Sequence, residues 1–140
     1  VMVAVIRYAD GNYYSFTTLA DALKFAKAGE TVTLLRDVTT SETIKIEKAI
    51  TMDGNGKTLT YTGSDRAIEM PNNAEAKLNV TLKNLTVDCT ASYCQRGINY
   101  NTTGKLTLAH IGAFAKEIED AGIETDAVSP KLLPNYTRRV

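Results

Sequence analysis

Polar and apolar positions change period once along this chain. Over "TTLADALKFAKAGE" the apolar residues Leu19, Ala22, Leu23 and Ala26 recur at three- and four-residue spacing, the signature of one helical face. Thr17 or Thr18 can cap that helix, Asp21 in its first turn suits the helix dipole, and Gly29 can take a left-handed stop. The spacing predicts a helix over about residues 17–28. After Gly29 the period falls to two. "TVTLL", "TIKIE", "AITM", "KTLTYT", "AIEM", "LNVTLKNLTV", "GINY" and "GKLTL" are short, rich in Thr and β-branched residues, and separated by turns of Asp, Asn and Gly.

The strands echo one another. "ITM" at 50–52 returns as "VTL" at 80–82, "KTLT" at 57–60 as "KNLT" at 83–86, and "AIEM" at 67–70 as "GINY" at 97–100, offsets of 30, 26 and 30. Several short strands per unit at this spacing mark a solenoid, in which stacked units bury a face that one unit cannot. Between "AITM" and "KTLT" lies Asp53-Gly54-Asn55-Gly56, a hairpin signal in isolation. The echo favours a corner between successive sides of one turn, each side pairing in parallel with its counterpart. Ile50, Met52, Leu59, Ile68, Val80, Leu82, Leu85, Ile98 and Leu106 are then expected inward.

The stretches "FTTLADALKFAKAGETVTLLRDVT", "TIKIEKAITMDGNGKTLT" and "LKNLTV" resemble the start of a right-handed parallel β-helix of the pectate-lyase-like superfamily, over about residues 14–108. More narrowly, they resemble Thr-rich β-helix segments of bacterial surface proteins. The resemblance implies an all-β fold: a short right-handed parallel β-helix over 1–108, closed at its N-terminal end by the helix. It says little of activity, because such coils carry enzymes, adhesins and viral spikes alike. Residues 109–140 depart from the pattern. Ile111, Phe114, Ala115 and Ile118 form a helical stripe ended by Gly122, and Pro130 and Pro134 impose an extended tail. A helix capping the coil is expected here, or alternatively a docking arm for a protein partner or second copy. Ile111, Phe114, Ile118, Arg138 and Arg139 would carry either role.

Composition narrows the field without naming an activity. The 140 residues suit one domain, and formal net charge is zero, so no field draws nucleic acid or an anionic membrane. No apolar run approaches the roughly 20 residues of a membrane span, so no membrane insertion is expected. The chain begins "VMVAVIRY" without an initiator Met, which suggests a segment of something longer. Cys89 and Cys94 are the only cysteines; with His110 the single imidazole, zinc is poorly served, whereas a local disulfide in "CTASYC" fits an oxidising compartment.

Motifs for chemistry are sparse. A phosphate loop ending at Gly56-Lys57-Thr58 lacks its first glycine, Thr51 standing there, and a calcium loop starting at Asp53 meets Lys57 and Ser64 where ligands are required. Asp53, Asp65 and Asp88 are candidate carboxylates, but their spacing fixes no common face. The Gly-His-Gly and Arg-Ile-Lys elements that polygalacturonase-like relatives carry are missing, and Arg66 and Arg96 lack the acidic cluster of lyase-like ones. No catalytic residues, metal or cofactor are therefore assigned. Tyr13, Tyr14, Tyr61, Tyr93 and Tyr100 could stack on carbohydrate, though tyrosine is an ordinary strand former. "NVT", "NLT", "NTT" and "NYT" match glycosylation acceptors, as Thr-rich strands containing Asn will. The expected function is a non-catalytic structural or adhesive module of an extracellular or cell-surface protein. The alternatives are a virion component, such as a phage fibre, tail spike or capsid decoration, and a fragment of a polysaccharide-active lyase or hydrolase.

Overall fold

The computed structural model describes residues 1–71, 77–89, 96–100, 102, 104–114, 118–119 and 123–124. The chain starts with a hairpin: β1 (Ala4–Arg7) and β2 (Tyr13–Phe16) pair antiparallel. Gly11, at φ 88°, makes its turn, and Asp10 Oδ1 accepts the Asn12 N–H at 2.9 Å. Helix α1 (Leu19–Phe25) follows. Thr18 caps it, its hydroxyl accepting the Asp21 N–H at 3.1 Å, and Leu19, Ala22, Leu23 and Ala26 are buried. Thr18→Ala should lower stability by about 1 kcal/mol in thermal or urea unfolding, while Thr17→Ala should be near neutral.

Strand β3 (Thr31–Leu34) pairs antiparallel with β1 on one side and parallel with β6 (Thr51–Tyr61) on the other. Beyond β6 every pairing is parallel, through β8 (Val80–Asp88) and β10 (Leu106–Phe114) to β12 (Ile123–Glu124), with β4 (Val38–Thr40) alongside β6. A second sheet, wholly parallel, runs β5 (Ile44–Lys45), β7 (Arg66–Met70), β9 (Arg96–Tyr100) and β11 (Ile118–Glu119).

The two sheets share one apolar core built in columns. Val32, Met52, Leu82 and Leu108 stand in register on four successive strands, fully buried. Ile44, Ile68 and Ile98 form a second buried column on the other sheet. All nine residues expected inward are buried. Each large side chain withdrawn from water contributes about 1.5–3 kcal/mol.

The architecture corrects the all-β expectation. The fold is mixed α/β: a mixed sheet with a seven-strand path, a second parallel sheet and a helix, in place of a short right-handed parallel β-helix. The antiparallel pairings of β1 with β2 and β3 overturn it. The echo that suggested a solenoid describes only the spacing of β6 to β8 and β7 to β9. Thr31 sits opposite Thr51, only 20 residues on, and before Thr31 the chain doubles back on itself.

The expected C-terminal helix is also corrected. Ile111 and Phe114 belong to β10, opposite Leu85 and Asp88, and Ile118 belongs to β11, opposite Ile98. The three- and four-residue spacing of these residues fits a helix, but an edge of β8 nine residues long offers backbone partners to a neighbouring strand. Unmade ladder bonds cost more than the small helix preference of this stretch supplies. Arg138 and Arg139 lie outside the described residues.

Candidate functional site

The Asp53-Gly54-Asn55-Gly56 stretch lies inside β6 rather than at a corner between two strands. Asp53 stands opposite Lys83 and Lys57 opposite Leu85, so three residues of β6 span what Asn84 alone spans in β8. "KTLT" is accordingly two positions out of step with "KNLT", Thr58 facing Thr86. On β10 the matching place is His110, between Ala109 and Ile111. Asn55, Asn84 and His110 all take left-handed backbone, at φ 53°, 53° and 52°. They form a stacked bend across three strands, and asparagine bears this conformation at low cost.

That bend consumes one candidate carboxylate. Asp53 Oδ1 accepts the Asn55 N–H at 2.9 Å and Asn84 Nδ2 at 3.2 Å, while Asn55 Nδ2 donates to the Leu34 carbonyl at 3.1 Å. Asp65 pairs with Arg66 at 3.0 Å, and Arg66 Nε lies 3.5 Å from Glu69 Oε2. Asp88 stands opposite Thr60. The register sets none of the three carboxylates opposite another, so it assembles no facing acid–base pair from them. It does bring Arg66 and Arg96 together as opposed residues on β7 and β9. His110 is exposed on the last residue of the bend. Among the described residues no three His, Cys, Asp or Glu gather as a metal cluster. Cys89 is buried and Cys94 lies outside the described residues, as does the bond expected between them.

The tyrosines divide sharply. Tyr61 and Tyr100 are interior: the Tyr61 hydroxyl accepts the Asp65 N–H at 2.9 Å and that of Tyr100 donates to the Leu78 carbonyl at 2.7 Å. Tyr93 lies outside the described residues. Tyr13 and Tyr14 are 64% and 54% exposed on β2, the last strand of its sheet, and Phe25 on α1 is 45% exposed. The rings of Tyr8, Tyr14, Phe16 and Phe25 are contiguous. Tyr14 lies 5.0 Å from Phe25 and 6.0 Å edge-on from Tyr8, and Phe16 lies 5.4 Å from Phe25. Burial and the adjoining Glu30 carboxylate push the Tyr8 phenol above its ordinary 10.0, keeping it neutral. Phe25 falls off the apolar stripe of α1, a position that points a large ring at β2; that offset was the sequence signal for the patch.

A cleft of about 900 Å³ opens between α1 and the β4–β5 segment. Buried Leu23 and Ile44 line it together with Lys24, Glu42, Lys45 and Glu47. Lys48 also lines it, but its ammonium is committed to closing the helix, donating to the Lys24 and Ala26 carbonyls at 2.6 and 2.5 Å. Nothing in the periodicity announces this cleft, since its walls are 20 residues apart in sequence.

No helix among the described residues is long and apolar enough to cross a membrane. Comparison with protein-family models, curated proteins and solved structures returns no match.

Proposed function

We propose that the chain is a non-catalytic structural and adhesive module of an extracellular or cell-surface protein, with the ring cluster on β2 and α1 as its contact surface. The observation that carries this reading is the patch of Tyr14 and Phe25, two large rings exposed side by side, with Tyr8 and Phe16 adjoining them. Contiguous exposed apolar surface rimmed by polar groups marks interaction sites, and Tyr offers a rigid face with a polar tip. The fitting ligand is a polysaccharide, whose sugar rings present flat C–H faces to aromatic planes and hydroxyls to the neighbouring polar groups. The resemblance of "ETVTLLRDVT" and "DGNGKTLT" to Thr-rich bacterial surface segments supports the same assignment. The core columns give the patch a rigid mount.

Co-sedimentation with insoluble polysaccharides tests the proposal. The Tyr14→Ala variant should bind at least about tenfold more weakly, roughly 1.4 kcal/mol, with its melting temperature little changed, while Tyr13→Ala, on the other face of β2, should bind as the wild type does. Equal binding by Tyr14→Ala and the wild type would remove the patch from the function. The same preparations should release no reducing ends; cleavage that vanishes in Asp65→Asn would make the chain an enzyme.

A further inference from the structure

Of the four Asn-x-Thr triplets, two have their asparagine among the described residues, and the fold treats them differently. Asn84-Leu85-Thr86 is used up. Asn84 holds the left-handed bend of β8, its Nδ2 donates to Asp53 Oδ1 at 3.2 Å, and Leu85 is buried. The bends of β6 and β10 flank it on both sides, about 4.8 Å away. The nitrogen of this half-buried residue is engaged with Asp53 inside the stacked bend, where a sugar would have to displace its neighbours.

Asn79-Val80-Thr81 is open. Asn79 is exposed in the irregular segment Lys77–Asn79 that leads into β8. Its Oδ1 accepts the Lys105 N–H at 3.0 Å beside Gly104, where an added Cβ would come within 3.0 Å of the same oxygen. That bond fixes the amide by its oxygen. Nδ2 has no partner among the described residues, and the Thr81 hydroxyl position two residues on is half-buried at the strand surface. The acceptor nitrogen is thus presented outward while the oxygen holds the side chain in place.

We propose that Asn79 is an N-glycosylation site, used when the chain passes through a secretory compartment that carries an oligosaccharyltransferase. This rests on the extracellular assignment above. The co-reactant is a lipid-pyrophosphate-linked oligosaccharide. A bond forms between Asn79 Nδ2 and the anomeric carbon of the first sugar as that carbon's bond to the pyrophosphate oxygen breaks. Nδ2 loses one proton, and the lipid pyrophosphate leaves with the bonding electrons. The product keeps Oδ1, so the bond from Lys105 survives modification.

The test is secretion of the full chain from cultured eukaryotic cells, followed by site-resolved mass spectrometry of the folded fraction before and after endoglycosidase treatment. Asn79 should be occupied and Asn84 bare. Asn79→Gln and Thr81→Val should each abolish the glycan at this site, and Thr86→Val should leave it in place. Bare Asn79 in folded, secreted wild-type protein, or a glycan on Asn84, would overturn the proposal; the wild-type measurement decides even if a variant is not secreted. Polysaccharide binding by unglycosylated protein from a bacterial host tests the adhesive role separately, so the two readings fail independently.

Discussion

Leu82→Ala is expected to lower the unfolding free energy by about 2–5 kcal/mol. Leu82 is fully buried in the middle of the column that runs from Val32 through Met52 to Leu108, with a strand on either side. The neighbouring strands hold their spacing through backbone bonds, so they cannot close in on the space left by truncation. A cavity therefore persists, and its cost adds to the lost transfer energy. Thr81→Ala, one residue away on the half-buried outer face, is the control and should cost under about 1 kcal/mol. Urea unfolding reads both: the midpoint should fall steeply for Leu82→Ala while the m-value stays constant. A loss below about 0.5 kcal/mol would place Leu82 outside the core.

Gly54→Ala should be comparably damaging, by about 3 kcal/mol, and for a different reason. A Cβ at Gly54 would lie 2.5 Å from the Asn84 carbonyl oxygen and 2.7 Å from Leu85 Cα. Both contacts are backbone of β8, which cannot swing aside as a side chain can. The extra residues of β6 arch over Asn84 here, so relief requires β6 to part from β8 at the bend. Gly56→Ala is the informative comparison. It meets open space but keeps φ 76°, so only the left-handed penalty of roughly 1–2 kcal/mol applies. Equal losses for the two variants in thermal unfolding would mean that backbone conformation, and not the close approach of β6 to β8, sets the requirement at Gly54.

Much of this local structure was legible in the residues. The stripe Leu19, Ala22, Leu23 and Ala26 marked α1, and Thr18 marked its start, because capping and helical periodicity are properties of a few adjacent residues. Period-two alternation picked out the nine buried residues, eight of them in strands and Ile50 just before β6, since a strand sends successive side chains to opposite faces whatever pairs with it. Site prediction fared less evenly. Tyr14 was named only as one of five tyrosines, and Phe25, Tyr8 and Phe16, which complete the patch, were not named. Asp53 looked like a candidate acid, but its partner Asn84 lies 31 residues away and only strand register supplies it.

Helix α1, the strand pattern between residues 31 and 108 and the inward set are determined by the sequence alone, through short-range sterics and the pattern of apolar side chains. Pairing direction at the N-terminus, the fate of residues 109–114 and the roles of the Asn residues were decided by tertiary structure. "AHIGAF" satisfies a helical spacing and a strand equally well, and the nine-residue edge of β8 tips it to strand. The hairpin of β1 and β2 converts an otherwise parallel sheet into a mixed one through a turn at Gly11 whose consequence depends on β3 being there to receive β1. Asn79 and Asn84 each head an Asn-x-Thr triplet; one is open and the other is locked in a bend, because exposure is set by the strand stacked alongside and not by the residues on either side.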